Sequence, residues 1–297
     1  MANSEAVRSV AQVIQSVRTL EGAGFLVNRP FPTPQLMEFD PFLLLDEMGP
    51  VELGPGEAKG APDHPHRGFE TVTYMLDGRL EHRDSQGNAG QLGSGDVQWM
   101  TAGGGVIHSE MPEADFAKRG GRMHGFQLWV ILPQVDKMMR PRYQEILAAK
   151  IPRAASDDGK IQVSVIAGEA LGAKAVIDTR TPISLLHYAV APGRIVVQEV
   201  PADYNVFAYI FDGSGNFGPA ATVARERQMA VFANDGDQVR FSSADERIPL
   251  QLLLISGLPL NEPVARYGPF VMNTQAEIAK AISDYQSGHF GKIAPLR

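Results

Sequence analysis

Cysteine is absent from the 297-residue chain, which excludes disulfides, thiolate-bound zinc and a cysteine nucleophile. A chain without disulfides suits a reducing compartment, so a cytoplasmic location is expected. Long apolar runs are missing too. Stretches such as Phe42–Leu45 and Leu250–Ser256 fall far short of the ~20 residues that a membrane helix needs. Met1–Thr19 carries Glu5 and has no continuous apolar core before a small-residue cleavage site, so it does not read as a signal peptide. No Lys/Arg run stands out and the formal charge is −7, which argues against direct nucleic-acid binding. There is no GxxxxGK[ST] phosphate loop and no G-x-S-x-G elbow. The glycines Gly103–Gly105 do not lead into a helix, so they are no dinucleotide fingerprint.

What the chain has in quantity is turn chemistry. Thirty glycines and 21 prolines punctuate short β-type runs, and several short strands at this spacing predict an all-β sandwich or barrel. Thr71–Leu76 runs into Asp77-Gly78 and Val206–Phe211 into Asp212-Gly213, each read as a strand entering a tight hairpin. These two strands belong to an internal repeat. Phe69–Gly78 aligns without gaps on Tyr204–Gly213, at an offset of 135 residues. The expectation is two tandem β-domains, 1–140 and 141–297. Pro133–Pro152 forms the join around a helix expected over Tyr143–Lys150. A terminal helix follows the capping box Thr274-Gln275-Ala276-Glu277, with Ile278, Ile282 and Tyr285 on one face and Gly288 as its stop.

Chemistry concentrates in two short segments. In Asp63-His64-Pro65-His66-Arg67-Gly68-Phe69-Glu70, two histidines stand two apart, and residues i and i+2 of an extended chain project to one face. Pro65 holds that segment extended. His108-Ser109-Glu110 repeats the spacing after Gly103–Gly105, whose glycines permit a tight turn or a close backbone approach. If the two segments lie side by side, His64, His66, His108 and Glu110 converge. Three imidazoles and a carboxylate suit one divalent transition metal, such as Fe, Mn, Co, Ni, Cu or Zn. Glu70 shares the parity of His64 and His66, so spacing alone leaves it open as the carboxylate ligand or as an acceptor beside the site. His82 reads as a solvated strand end and His124 as a structural hydrogen-bonding residue. His187 is isolated in an apolar strand and His289 lies in the tail. Applying the repeat offset, His64 and His66 fall on Glu199 and Pro201, and no HxH or HxE follows residue 124. The second domain is therefore expected to hold no metal, with Phe207, Tyr209, Phe211 and Phe232 as core or interface.

The first half resembles the pirin family of the cupin superfamily. The resemblance is carried by Asp40–Glu47, Asp63–Tyr74, Gly95–Gly103, Ile107–Pro112 and His124–Val130, with Tyr267–Asn273 matching later in the chain. It implies a bicupin, two antiparallel jelly-roll barrels with a metal, usually iron, in the N-terminal one only. It also implies His64, His66, His108 and Glu110 as the ligands, which ranks Glu110 above Glu70. Members of the family are described as quercetin 2,3-dioxygenases, as nuclear transcription co-regulators and as bacterial regulators. The first role implies a flavonol-like substrate and O2, with Glu110 or Glu70 taking the substrate's proton. The second implies protein partners that respond to the metal's oxidation state. A closed, purely structural metal shell is the third reading.

Overall fold

The alternation of apolar runs with Gly, Pro, Asn and Asp becomes strand and turn over most of the chain. The computed structural model describes residues 6–294, so Glu5 of the N-terminal reading lies outside the described residues. Contacts separate two compact units. One comprises Arg18–Arg29, Phe42–Ala149 and the residues from Leu260 onward; the other comprises the residues up to Val17, Pro30–Pro41 and Lys150–Pro259. A single cut at 140/141 does not separate them. The reason lies in backbone pairing and apolar burial. The strand Val10–Gln15 is laddered to Gln228–Phe232, and the terminal helix packs with Phe270, Met272 and Phe290 beside Ile107.

In the unit carrying the histidine pairs, a seven-stranded sheet runs in the order 142–146, 97–101, 69–77, 121–131, 42–53, 25–31, 17–21. A four-stranded sheet has the order 61–66, 106–112, 80–84, 89–92. The second unit repeats the scheme. Its sheets run 10–15, 228–232, 205–212, 250–257, 183–190, 161–167, 153–155 and 195–199, 238–243, 214–217, 222–225. Two cupin barrels with one terminal helix are thus in place. The repeated segments fall on equivalent central strands, Phe69–Asp77 and Asn205–Asp212.

Inward side chains fill both barrels. Trp99, Phe126 and Val130 are buried in one, and Tyr188, Phe217 and Phe241 in the other; each such burial stabilises by roughly 1.5–3 kcal/mol. Phe207, Tyr209, Phe211 and Phe232 are all buried, and Phe207 meets Phe31 and Phe39 edge-on at 5.5 and 5.6 Å.

Two local expectations are corrected. The turns at Asp77-Gly78 and Asp212-Gly213 close no hairpin; each carries the chain from the seven-stranded to the four-stranded sheet, through a glycine at φ +94° or +78°. Residues 143–150 are not a helix. Arg142–Ile146 is an edge strand whose backbone pairs with Val97–Thr101, and only Ala148–Lys150 makes a single 3-10 turn. The terminal helix Gln275–Gln286 is capped as expected: Glu277 N donates to Thr274 Oγ1 at 3.2 Å and Thr274 N to Glu277 Oε2 at 2.8 Å. Among the described residues no helix is long and apolar enough to cross a membrane.

Candidate metal centre

The two histidine segments are neighbouring antiparallel strands, Ala61–His66 and Val106–Pro112. His64 faces His108 across the ladder and His66 faces Val106. The period of two then brings all three imidazoles to one side. Their ring centroids lie 4.4–4.8 Å apart, and one nitrogen from each falls within 4.8 Å of the others. Opposite His108–Glu110 the partner strand carries one extra residue between Ala61 and His64, a bulge beside the imidazoles of the kind common next to functional sites.

The nitrogens fit a cation. His64 Nδ1 donates to Pro62 O at 2.7 Å, which leaves Nε2 as the bare, ligating nitrogen. That Nε2 lies 3.0 Å from His66 Nε2. His66 and His108 are 3% and 0% exposed, and neither the two ring nitrogens of His108 nor His66 Nδ1 has a protein partner. Buried polar nitrogens without partners are costly unless something else satisfies them. Burial, reinforced by the neighbouring imidazoles, pushes the pKa of both rings well below the usual histidine range. Both are therefore neutral and have a lone pair to donate, as a metal ligand requires.

Glu110 and Glu70 part company here. Glu110 lies on the histidine strand, is 7% exposed and lines the same cavity as His64 and His66. Its Oε1 accepts from Thr73 Oγ1 at 2.8 Å and its Oε2 from Gln127 Nε2 at 2.9 Å. Trp129 Nε1 donates to Gln127 Oε1 at 3.3 Å, which turns the amide so that its nitrogen faces Glu110. Glu110 does not fall within the tight cluster of imidazole nitrogens. Glu70 is fully buried, accepts from Thr101 Oγ1 at 2.5 Å, and does not line the cavity. The parity argument for it fails because the strand ends at Arg67-Gly68. Glu70 belongs to Phe69–Asp77, in the other sheet.

That break is held from several sides. Gly68 has φ +87°, and a Cβ there would sit 1.9 Å from Val271 O. Lys137 Nζ donates to Gly68 O at 2.9 Å and to Val271 O at 3.3 Å; burial lowers its pKa to about 8. The Arg67 guanidinium is buried, donates to Gly104 O at 2.7 Å, pairs with Asp284 of the terminal helix at 2.9 Å and covers the Phe290 ring. The Gly103 turn approaches Met139 O so closely that a Cβ would lie 2.2 Å away. The expected glycine role is met there.

Of the remaining histidines, His124 takes a structural hydrogen bond, Nε2 to Glu47 Oε1 at 3.0 Å. His82 is not solvated. It stands opposite Glu110 in the ladder, is 2% exposed, hydrogen-bonds Glu145 and stacks on Tyr143 at 5.1 Å. His64, His66 and Glu110 line a cavity of about 590 Å³. Phe25, Val27, Leu44, Met48 and Trp129 form its apolar wall. Arg29 clamps Asp46 with two bonds of 2.7 and 2.6 Å, yet burial raises that carboxyl to about 6. Arg266 also reaches the cavity, 5.3 Å from the Trp129 ring, and donates to Leu43 O at 3.3 Å. Spacing gave no hint of Thr73, Gln127 or Arg266, which come from other strands, Phe69–Asp77, Gly121–Ile131 and Ala265–Tyr267.

Comparison with known proteins places both halves of the chain in one family. Residues 24–130 match the family profile described as Pirin, and residues 185–291 the one described as Pirin C-terminal cupin domain. A "Pirin-like protein" of Solanum lycopersicum is 44% identical over 271 residues, 91% of this chain and 89% of that protein. The Homo sapiens protein "Pirin" is 40% identical over 286 residues, 96% and 94% of the two chains. A solved structure described as quercetin 2,3-dioxygenase from Acinetobacter baumannii superposes with a TM-score of 0.90 at 36% identity. It covers 97% of this chain and 100% of its own.

Proposed function

We propose that this chain, which belongs to the pirin family, is a metal-dependent dioxygenase that opens the ring of flavonols such as quercetin. The observation that carries the reading is the cluster of three imidazoles, two of them buried and held neutral, with His64 and His66 on the wall of a 590 Å³ cavity large enough for a small aromatic substrate. The likeness to a structure described as a quercetin 2,3-dioxygenase supports it. His64, His66 and His108, with Glu110, would hold one divalent ion, iron in our reading. Bound there, it supplies Lewis acidity towards a substrate hydroxyl and one-electron chemistry with O2.

The chain's own residues do the rest. The Glu110 carboxylate, fixed by Thr73 and Gln127, accepts the proton of the flavonol 3-hydroxyl. The apolar wall and Trp129 hold the aromatic body and keep water from it. The Arg266 guanidinium forms no ion pair among the described residues and faces the negative charge that deprotonation leaves on the substrate.

Incubation of the iron-loaded protein with quercetin, with and without oxygen, tests the reading. Oxygen-dependent loss of the flavonol absorbance is expected. No loss with iron, manganese, nickel, copper or cobalt would remove it. Replacing Arg266 by Leu is expected to raise KM for quercetin by about tenfold with a smaller change in kcat; an unchanged KM would dismiss its role.

A further inference from the structure

In the second barrel, Ile195–Glu199 and Gln238–Ser243 hold the places that the two histidine strands hold in the first, at the edge of a four-stranded sheet. Where His64 faces His108, Glu199 faces Gln238. The metal chemistry is gone from these positions, but the hollow is not. A cavity of about 630 Å³ opens there, as large as the one beside the imidazoles. A barrel end with no ligand to hold would be expected to fill with side chains, as the rest of this barrel does with Tyr188, Phe217 and Phe241.

The walls are built for a ligand. Ile183, Leu186, Val200 and Leu254 give an apolar body to the cavity. Ser184 faces Ser256 across the ladder, and both line it together with Gln238. Ser256 is 2% exposed and Gln238 is 9% exposed. Among the described residues, no hydrogen bond engages the side chains of Ser184, Ser256 or Gln238. By contrast, Gln198 beside them is committed, accepting from Tyr188 Oη at 2.6 Å and donating to Glu199 O at 2.9 Å. Ser256 and Gln238 are buried residues whose side chains stand at the cavity wall with no hydrogen bond from the described residues, free to bond a guest. Gly168, at φ +83°, lies so close to Ser184 that a Cβ would meet its Oγ at 2.2 Å, so the backbone there leaves room for the hydroxyl.

Charge selects the class of guest. Glu169, Glu199 and Asp237 line the cavity and no Lys, Arg or His does. Asp237 is partly engaged by the Ala6 amide at 3.0 Å and by the field of Arg8. Glu169 and Glu199 are exposed at the rim and enter no ion pair among the described residues. An anion is disfavoured, and a cation with an apolar body is favoured.

We propose that the second barrel is a binding site for a small organic amine with an aromatic or apolar body. Its ammonium group sits at Glu199 and Glu169, and its hydroxyl or ring edge reaches Ser184, Ser256 and Gln238.

Isothermal titration of the full-length, metal-loaded protein with tyramine, tyrosol and 4-hydroxyphenylacetate tests this, since the three share a ring and differ in charge. Tyramine is expected to bind with about one equivalent per chain and at least about tenfold tighter than the acid, with tyrosol between them. Glu199→Gln, an exposed position, is expected to weaken tyramine severalfold without lowering the melting temperature. Ser256→Leu fills the cavity and is expected to abolish binding. His108→Ala, in the other barrel, leaves tyramine binding unchanged even if metal is lost, which separates this site from the metal centre. Equal binding of amine and acid, no heat with tyramine, an unaffected Glu199→Gln variant, or loss of binding in His108→Ala would each overturn the proposal. Should Ser256→Leu fail to fold, the Glu199→Gln and His108→Ala results decide it.

Discussion

At the scale of single residues, the two carboxylates near the histidines are told apart by what holds them. Glu110 shares the cavity with His64 and His66, whereas Glu70 is enclosed against Thr101. Replacing Glu110 by Gln is therefore expected to lower quercetin turnover by about 100-fold or more, in the range of a lost general base. Glu70→Gln acts on stability first and leaves turnover of the folded fraction within a few-fold. The reverse ranking in steady-state kinetics would contradict this assignment.

The histidines themselves set a pH dependence. His66 and His108 are held below their unfolded pKa by burial. As pH falls below about 6.5 the unfolded chain takes up protons that the native chain refuses, so stability rises with pH across that window and is lost in acid. Each ring contributes at most about 1.4 kcal/mol per pH unit there. Urea unfolding of the metal-free protein at pH 7.5 and 5.5 checks it; a midpoint that does not drop at the lower pH would count against neutral, buried imidazoles. The convergence of His64, His66 and His108 was legible in the sequence because a strand's side chains repeat every two residues, while Glu110 stays outside their tight cluster. The same rule left Glu70 open as a second carboxylate, since parity carries no information past the end of a strand, and Gly68 ends one. His82 was misread because its polar neighbours suggested solvent, while its place opposite Glu110 turns it inward.

At the scale of elements, the break at Arg67-Gly68 lets one strand end at His64 and His66 and the next begin in the other sheet. Gly68→Ala would force a methyl group against Val271 O at a φ that L-residues rarely adopt. It is expected to cost about 1–3 kcal/mol from strain and clash, read as a fall in melting temperature of the metal-free protein; a change below about 0.5 kcal/mol would show that the backbone there can relax. The alternation of strand and turn, the repeat and the capped terminal helix could all be read from local patterns. The strand Arg142–Ile146 could not, because its edge pairing with Val97–Thr101 is a tertiary choice that overrides the local helix signal.

At the scale of the whole molecule, the repeat foretold two barrels but not their interleaving. Val10–Gln15 joins the second barrel, and the terminal helix, tied by Asp284 to Arg67, joins the first. A repeat offset records which segments are alike, and carries no record of which sheet edge a terminal strand will complete. The consequence is that the candidate metal centre is braced by the terminal helix. His64 and His66 sit on the strand that Arg67 ends, and Arg67 reaches a helix more than 200 residues later.

The account rests on His64, His66 and His108 together holding one ion. Metal analysis of the protein purified without added metal, beside the His108→Ala variant at matched folding, tests this most directly. We predict about one transition-metal ion per chain, iron in the main, in the natural sequence and a fall to background in the variant. A natural protein that takes up no transition metal, or a variant that keeps a full equivalent, would contradict it.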